Sequence, residues 1–216
     1  MKNPVERCGA VIVVSVLCLA VACSKRADAP VATAAPAPPG PTSNRSLGEI
    51  TGRAPAPAPG GVVVIVLEPR TERTFPPQDD KPVMDQVGQT FGPDFLLVRT
   101  GQPVEFRNSD DSLHNVHVTH EETREPAFNV AIPTGGTYNY AFTRDGFYHV
   151  GCDIHPAMAA TIFSAATPFT TLAGTDGRFV FTEVPLGAWT VNVYAAGRHL
   201  RRDVDVQGGV VDGTVE

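Results

Sequence analysis

Short apolar runs separated by glycine, proline, asparagine and aspartate follow one another from residue 61 to the end of the chain. The run VVVIVL at 62–67 is continuous and rich in β-branched residues, as is typical of a buried strand. The segment PVEFRN at 103–108 alternates instead, with Val104 and Phe106 on one face and charged residues on the other. Outside the N-terminal region, no segment of useful length has a helical period. The pattern therefore predicts an all-β protein.

The length and composition of the chain are consistent with two β-sandwiches. The 216 residues suffice for one large or two small domains, and the 20 glycines and 20 prolines favour turn-rich β structure. We place a first sandwich at 61–165, with its core at 79–164. A second, smaller sandwich follows at 166–216.

The N-terminus has the features of an export signal. Lys2 and Arg7 precede an apolar run from Val11 to Ala22, which is too short to span a bilayer and ends at Cys23. The ending resembles a bacterial lipoprotein signal, which implies lipidation of Cys23, and Ser24 implies sorting to the outer membrane. Ordinary secretory cleavage is the alternative. We therefore expect residues 1–23 to be a signal peptide and the mature chain to be anchored on the periplasmic side of the cell envelope.

Residues 24–60 are rich in proline, alanine and glycine and predict a tether rather than a packed domain. The segment LGEITGR at 47–53 interrupts this composition and has the pattern of a short strand.

One segment in the middle of the chain carries metal-binding chemistry. In GFYHVGCDIHPAM, Cys152, His155 and Met158 lie within seven residues, and His114 begins an alternating segment upstream. On that strand the even positions are apolar, so His114 is expected to point into the core. A thiolate, two imidazoles and a thioether are the ligand set of a trigonal copper site with a weak axial methionine. Zinc is the competing interpretation, although a thioether is a poor ligand for it.

Cys152 is the only cysteine expected in the mature chain besides Cys23. A lone thiol in an oxidising compartment has no disulfide partner, and metal ligation explains its presence. The remaining histidines are expected to be uninvolved and solvated: His117, His120, His149 and His199.

These residues resemble those of the cupredoxins, the type 1 blue copper proteins. HNVHV and CDIHPAM carry the resemblance over about 79–164, and the spacing from Cys152 to Met158 is most similar to that of the amicyanin type. The resemblance implies a Greek-key sandwich with His114, Cys152 and His155 as equatorial ligands and Met158 as the axial ligand. It also implies that Asn115 braces the ligand loops.

The chain departs from the amicyanin-type loop at Ile154, where that loop has proline. Isoleucine restores a backbone N–H that can donate to the sulfur of Cys152. We therefore predict a higher reduction potential than in an Ile154→Pro variant.

The segment TDGRFVFTEVPLGAWTVNVYAAG at 175–197 resembles a carboxypeptidase regulatory-like domain, a transthyretin-like sandwich. Residues 46–78 resemble the opening strands of the same domain, so the cupredoxin would interrupt this sandwich. Two consecutive sandwiches are the alternative, with 62–67 as the first cupredoxin strand. Pairing of Ile50 or Val64 with the segment after Phe179 distinguishes them.

The resemblance implies a lipid-anchored electron carrier with one copper ion and a periplasmic redox partner. Copper storage or delivery is one alternative, and an adhesion or scaffolding module is another. We expect no enzyme, because the chain has no His-x-His pairs of a multicopper oxidase, no G-x-S-x-G and no H-E-x-x-H. The net charge of −6 and the lack of a basic stripe argue against a nucleic-acid partner.

Overall fold

Every element of secondary structure that the computed structural model describes, over residues 47–216, is a β-strand, and the prediction of an all-β fold is confirmed. The predicted signal peptide, Cys23 and the tether up to residue 46 lie outside the described residues. Within 47–216 no helix has the length and apolarity needed to cross a membrane. The strands are β1 (Leu47–Arg53), β2 (Val63–Pro69), β3 (Val83–Val87), β4 (Thr90–Gly92), β5 (Phe95–Arg99), β6 (Pro103–Asn108), β7 (His114–His120), β8 (Pro126–Ile132), β9 (Thr137–Ala141), β10 (Gly146–Gly151), β11 (Ala159–Ala165), β12 (Thr170–Leu172), β13 (Arg178–Pro185), β14 (Gly187–Ala195), β15 (Arg198–Val206) and β16 (Gly209–Asp212).

Strands β3 to β11 form what we call the central sandwich. Its five-stranded sheet has the order β5-β11-β10-β7-β8, and a four-stranded sheet with the order β4-β3-β6-β9 faces it. Alternate residues of both sheets point inward, as in Val104 and Phe106 on β6 and Val116 and Val118 on β7, all of them fully buried. Cys152 and Met158 belong to the same buried cluster, so the segment that joins them lies at the edge of this core.

The remaining strands form the flanking sandwich, which is drawn from both ends of the described chain. A three-stranded sheet has the order β13-β1-β16, and a four-stranded sheet has the order β12-β2-β14-β15. Ile50 pairs with Phe181, and Val64 pairs with Tyr194. The segment LGEITGR in the predicted tether is therefore strand β1, held between β13 and β16.

Strand β2 explains how the two sandwiches meet. Val63, Ile65 and Leu67 point into the core of the flanking sandwich. Val64 and Val66, on the opposite face, pack in a cluster with residues of the central five-stranded sheet: Phe95, Leu97, Phe147, Phe163 and Ala165. Because both faces of this strand are covered, its consecutive residues from Val63 to Leu67 are all apolar, which explains the continuous run VVVIVL in the sequence. The interface between the sandwiches is therefore an apolar extension of the two cores.

Candidate metal centre

The candidate site lies where β7 begins and β10 ends, at one end of the central sandwich. His114 is the first residue of β7 and is 0% exposed, and Cys152 directly follows β10. The segment from Cys152 to Met158 then turns back into β11, the antiparallel neighbour of β10. Strand ends that meet at one edge of a sandwich thus bring together residues that are 38 positions apart in the chain.

Three potential ligand atoms converge there. The Nδ1 atoms of His114 and His155 lie 2.9 Å apart, and each lies 3.9 Å from the Sγ atom of Cys152. In a trigonal site with metal–nitrogen and metal–sulfur bonds of about 2.0 and 2.3 Å, nitrogen and sulfur lie about 3.8 Å apart. Two ligating nitrogens lie about 3.5 Å apart in the same geometry, which is about 0.6 Å more than the 2.9 Å between the two Nδ1 atoms. The donor set therefore fits a metal ion.

The second ring nitrogen of His114 is held by a carboxylate. Nε2 of His114 lies 2.8 Å from Oδ2 of Asp110. The same carboxylate accepts a hydrogen bond from the backbone N–H of Gly88 at Oδ1 and one from the N–H of Gln89 at Oδ2. These bonds, above all the one from Gln89, lower the pKa of Asp110. An ionised carboxylate accepts a proton donor, so Nε2 carries the proton of His114. The lone pair of Nδ1 then faces the convergence point.

Asn115 links the two ligand-bearing segments. Its Oδ1 accepts hydrogen bonds from the N–H of Asp153 at 2.7 Å, the N–H of Ile154 at 3.4 Å and the thiol of Cys152 at 3.3 Å. The backbone N–H of Ile154, which the sequence offers as a donor to the Cys152 sulfur, donates in this structure to the Oδ1 of Asn115. Asn115 connects the start of β7 to the Cys152 loop, the place that the resemblance implied for it.

The side chain of Asp153 extends this network across the five-stranded sheet. Its Oδ2 accepts hydrogen bonds from the amides of Asn115 and Asn129, at 2.9 and 2.8 Å, and its Oδ1 lies 3.0 Å from Nδ1 of His117. The hydrogen bond with His117 is the main reason that the pKa of Asp153 is lowered. The network ties β7 and β8 to the loop, and Asp153 is a supporting residue that the sequence analysis did not single out.

Met158 closes the loop that carries Cys152 and His155. Its N–H donates to the carbonyl of His155 at 2.9 Å, and its carbonyl accepts from the N–H of Cys152 at 3.4 Å. The side chain is 2% exposed and packs in the same cluster as Cys152. Because both ends of the loop are hydrogen-bonded to each other, the positions of the three side chains depend on one another.

The site differs in exposure between its two histidines. His114 is fully buried, whereas His155 is half-buried. Ile154 and Leu113, each the chain neighbour of one of these histidines, are 47% and 50% exposed. Two apolar side chains are therefore exposed at positions that adjoin the histidines in the chain, and His155 is the more exposed of the two histidines.

The other histidines have different surroundings. His117 is partly exposed, as expected, but it pairs with Asp153. His120 was predicted to be solvated, and this is wrong: it is 6% exposed and its Nε2 lies 3.2 Å from the carbonyl of Asp145. His149 is exposed, and His199 stacks on Tyr194 with ring centroids 4.4 Å apart. Within the described residues these four histidines do not join the converging group.

Comparisons with known proteins give likenesses over less than half of the chain. No family model matches the chain, and no curated protein sequence matches it. The reduced Cu(I) form of an amicyanin variant is similar over 46% of this chain and 98% of that chain, at 22% identity and a TM-score of 0.37. A Cu-containing nitrite reductase from Thermus scotoductus SA-01 is similar over 45% of this chain and 25% of that chain, at 27% identity and the same TM-score of 0.37. The assignment of the site rests on its own geometry.

Proposed function

We propose that this chain is a type 1 copper protein that carries one electron at a time. The observation that supports the proposal is the convergence of two Nδ1 atoms and the sulfur of Cys152 at one end of the central sandwich. His114, Cys152 and His155 would be the equatorial ligands and Met158 the axial ligand. Bound copper supplies a reversible change between Cu(I) and Cu(II) at this position.

The identity of the donors favours copper over zinc. Structural zinc sites have four ligands drawn from cysteine, histidine and carboxylate, and the converging group of the described residues has three such side chains. The ligand loop also carries the thioether of Met158, which is 2% exposed and belongs to the same buried cluster as Cys152. Thioether and thiolate together select copper.

The surroundings of the donors suit electron transfer because they hold the ligands in place. Asp110 fixes the ring of His114, and Asn115 and Asp153 fix the loop through hydrogen bonds that do not involve the metal. Ligands that are held by the protein move little when the charge of the metal changes, so the transfer is fast. His155, the more exposed histidine, is the proposed exit for the electron.

The proposed setting follows from the N-terminal sequence. Lipidation of Cys23 would anchor the protein on the periplasmic side of the cell envelope, at the outer membrane. Its partner there would be a redox protein that approaches the apolar surface next to His155. We propose no catalytic role and no nucleic-acid partner, in keeping with the net charge of −6.

The test is the addition of Cu(II) to protein that lacks residues 1–24. We expect an intense visible absorption from thiolate-to-copper charge transfer, lost in Cys152→Ser. His149→Gln, which changes an exposed histidine on the strand that ends before Cys152, is the control and should keep the absorption. A colourless protein that retains one zinc ion through Cys152 would contradict the proposal.

A further inference from the structure

A cleft lies where the edges of the two sandwiches meet, away from the metal-binding end of β10. Strand β5 is an edge of the central five-stranded sheet, and β12 is an edge of the flanking four-stranded sheet. The connection from β2 to β3 passes over both, and its residues 76–79 form one wall of the cleft. The other lining residues come from the two edges: Leu97, Val98, Arg99, Thr167, Pro168 and Thr170. Clefts at domain interfaces are favoured positions for small-molecule sites.

Arg99 is the unusual residue of this cleft. Its side chain is half-buried, and its buried Nε atom has no hydrogen-bond partner among residues 47–216. Among the described residues its guanidinium also forms no ion pair. Five other arginines, all more exposed or at the surface, each contact a carboxylate: Arg70, Arg107, Arg144, Arg178 and Arg202.

The neighbours of Arg99 do not replace a counter-ion. The nearest charged group, Asp145, favours the charged form of Arg99, yet burial lowers the pKa of Arg99 more than this attraction raises it. The carboxylate of Asp145 is also occupied, since it accepts hydrogen bonds from the Thr100 hydroxyl and from the N–H of Ala166. The ring of Phe75, 5.9 Å from Cζ of Arg99, offers only its π face.

A buried donor on a cation is costly when it is left unpaired, because its lost hydration is not replaced. A guanidinium presents parallel N–H groups that match the two oxygens of a carboxylate. The hydroxyl-bearing residues Thr167 and Thr170 line the same cleft. The cleft therefore suits a small organic anion: it offers one cation, two threonine hydroxyls and several apolar side chains, with the carboxylate of Asp79 in one wall.

We propose that the junction cleft binds a small carboxylate, with Arg99 as the residue that recognises it. The two terminal N–H groups of Arg99 donate to the two carboxylate oxygens, and the apolar part of the ligand lies against Pro76, Pro168 and Leu97. This site is independent of the metal centre, and it stands whether or not the protein binds copper.

The experiment is a titration of the full-length mature chain with acetate, followed by NMR at the side-chain Nε–H of Arg99. Acetamide, which has nearly the same shape and no charge, is the matched probe. We expect a saturable shift of the Arg99 Nε–H with acetate and none with acetamide. The backbone amides of Thr167 and Thr170 should report the same affinity.

Two variants complete the test. Arg99→Gln should weaken acetate binding by about tenfold or more at the threonine amides, because a charge-assisted pair is lost. Arg70→Gln removes an equal charge from an exposed ion pair and should leave the affinity unchanged. Should Arg99→Gln fail to fold, the titration of the unmodified protein still decides the question.

Two results would overturn the proposal. One is an Arg99 Nε–H that responds equally to acetate and acetamide, which would mean that only water pairs with it. The other is a response that appears only in Asp79→Asn, which would mean that Asp79, in the wall of the cleft, is the carboxylate that Arg99 binds.

Discussion

The two sandwiches of this protein differ in what they bury. The core of the flanking sandwich is apolar around Trp189, and its buried polar side chains are Thr190 and Asn192 on one strand. The central sandwich buries a larger polar set, which includes Gln86, Asn108, His114, Asn115, His120 and Ser164. Buried polar groups require partners with good geometry, whereas apolar cores require only volume and shape. The core of the flanking sandwich therefore serves mainly to stabilise the fold. The core of the central sandwich also contains polar side chains, among them His114 and Asn115, that hydrogen bonds hold in place.

The largest expected effect is on the stability of the flanking sandwich. Trp189 is 0% exposed, its ring packs 5.3 Å from that of Phe169, and its Nε1–H donates to the carbonyl of Pro185. Trp189→Ala should lower the free energy of unfolding by about 3–5 kcal/mol. Because this is the chain's one tryptophan, denaturant unfolding is best followed by circular dichroism.

The control for this variant is Val180→Ala, on the exposed face of β13, which should change stability by less than about 0.5 kcal/mol. If the division between the sandwiches is correct, Trp189→Ala should keep its copper absorption at temperatures where it is folded. Loss of the absorption in folded protein would show that the flanking sandwich also positions the metal ligands.

A second prediction compares two buried asparagines, one in each sandwich. Asn115 accepts hydrogen bonds from the backbone of Asp153 and Ile154, whereas the Oδ1 of Asn192 contacts only Nε2 of His199, at 2.9 Å. Asn115→Ala leaves buried donors unpaired, which should cost about 1–3 kcal/mol in metal-free protein. Asn192→Ala should cost less, since the Nδ2 of Asn192 already lacks a partner.

The measurement is the denaturant midpoint of both variants, followed by the copper absorption spectrum. Asn115→Ala should also shift the absorption maximum, because the loop that carries Cys152 loses the acceptor of its Asp153 and Ile154 N–H groups and can change the position of the sulfur. Equal losses of stability, with unchanged spectra, would remove the distinction between a positioning asparagine and a packing asparagine.

A third prediction concerns metal affinity rather than stability. Asp110→Asn removes the ionised partner of the Nε2 atom of His114. Loss of such a partner typically weakens metal binding by about 10- to 100-fold. Competition with a copper chelator measures the change. Asp85→Asn is the matched control, because Asp85 binds Ser109 in the same region without contacting His114, and it should bind copper as the unmodified protein does.

The burial of this polar interior was only partly predictable. Strand parity placed His114 on the inner face of β7, and the structure brings it to Cys152 and His155. The same parity, continued to position 120, puts His120 inside as well, so the sequence contained the signal for the residue that was predicted wrongly. The apolar residues of this face, Val116 and Val118, end before position 120, and His120 was predicted to be solvated.

Other contacts depend on atoms far apart in the chain, which no local pattern encodes. The N–H of Ile154 donates to Asn115, 39 residues upstream, rather than to the nearby Cys152 sulfur. Val64 on β2 pairs with Tyr194 on β14, and the 130 positions that separate them include the whole central sandwich. The unpaired Nε of Arg99 follows from how two sheet edges meet, and its sequence context is that of an ordinary strand end.

The smallest expected effect lies at the surface of the flanking sandwich. Hydrogen bonds from the hydroxyl and N–H of Thr214, together with the nearby Arg202, lower the pKa of Asp212 below its ordinary value. The unfolded carboxyl has a pKa of about 3.9. A depressed folded pKa means that Asp212 contributes stability above that value, and that this contribution is lost as pH falls through the folded pKa. Asp212→Asn should therefore lower the urea midpoint slightly at neutral pH and not at all in strong acid.

Asp205→Asn, which removes the same charge from the exposed face of β15, is the control. A midpoint difference for Asp212→Asn that persists unchanged in acid would show that the effect comes from packing, and the flanking sandwich would then have no ionisable contribution at this edge.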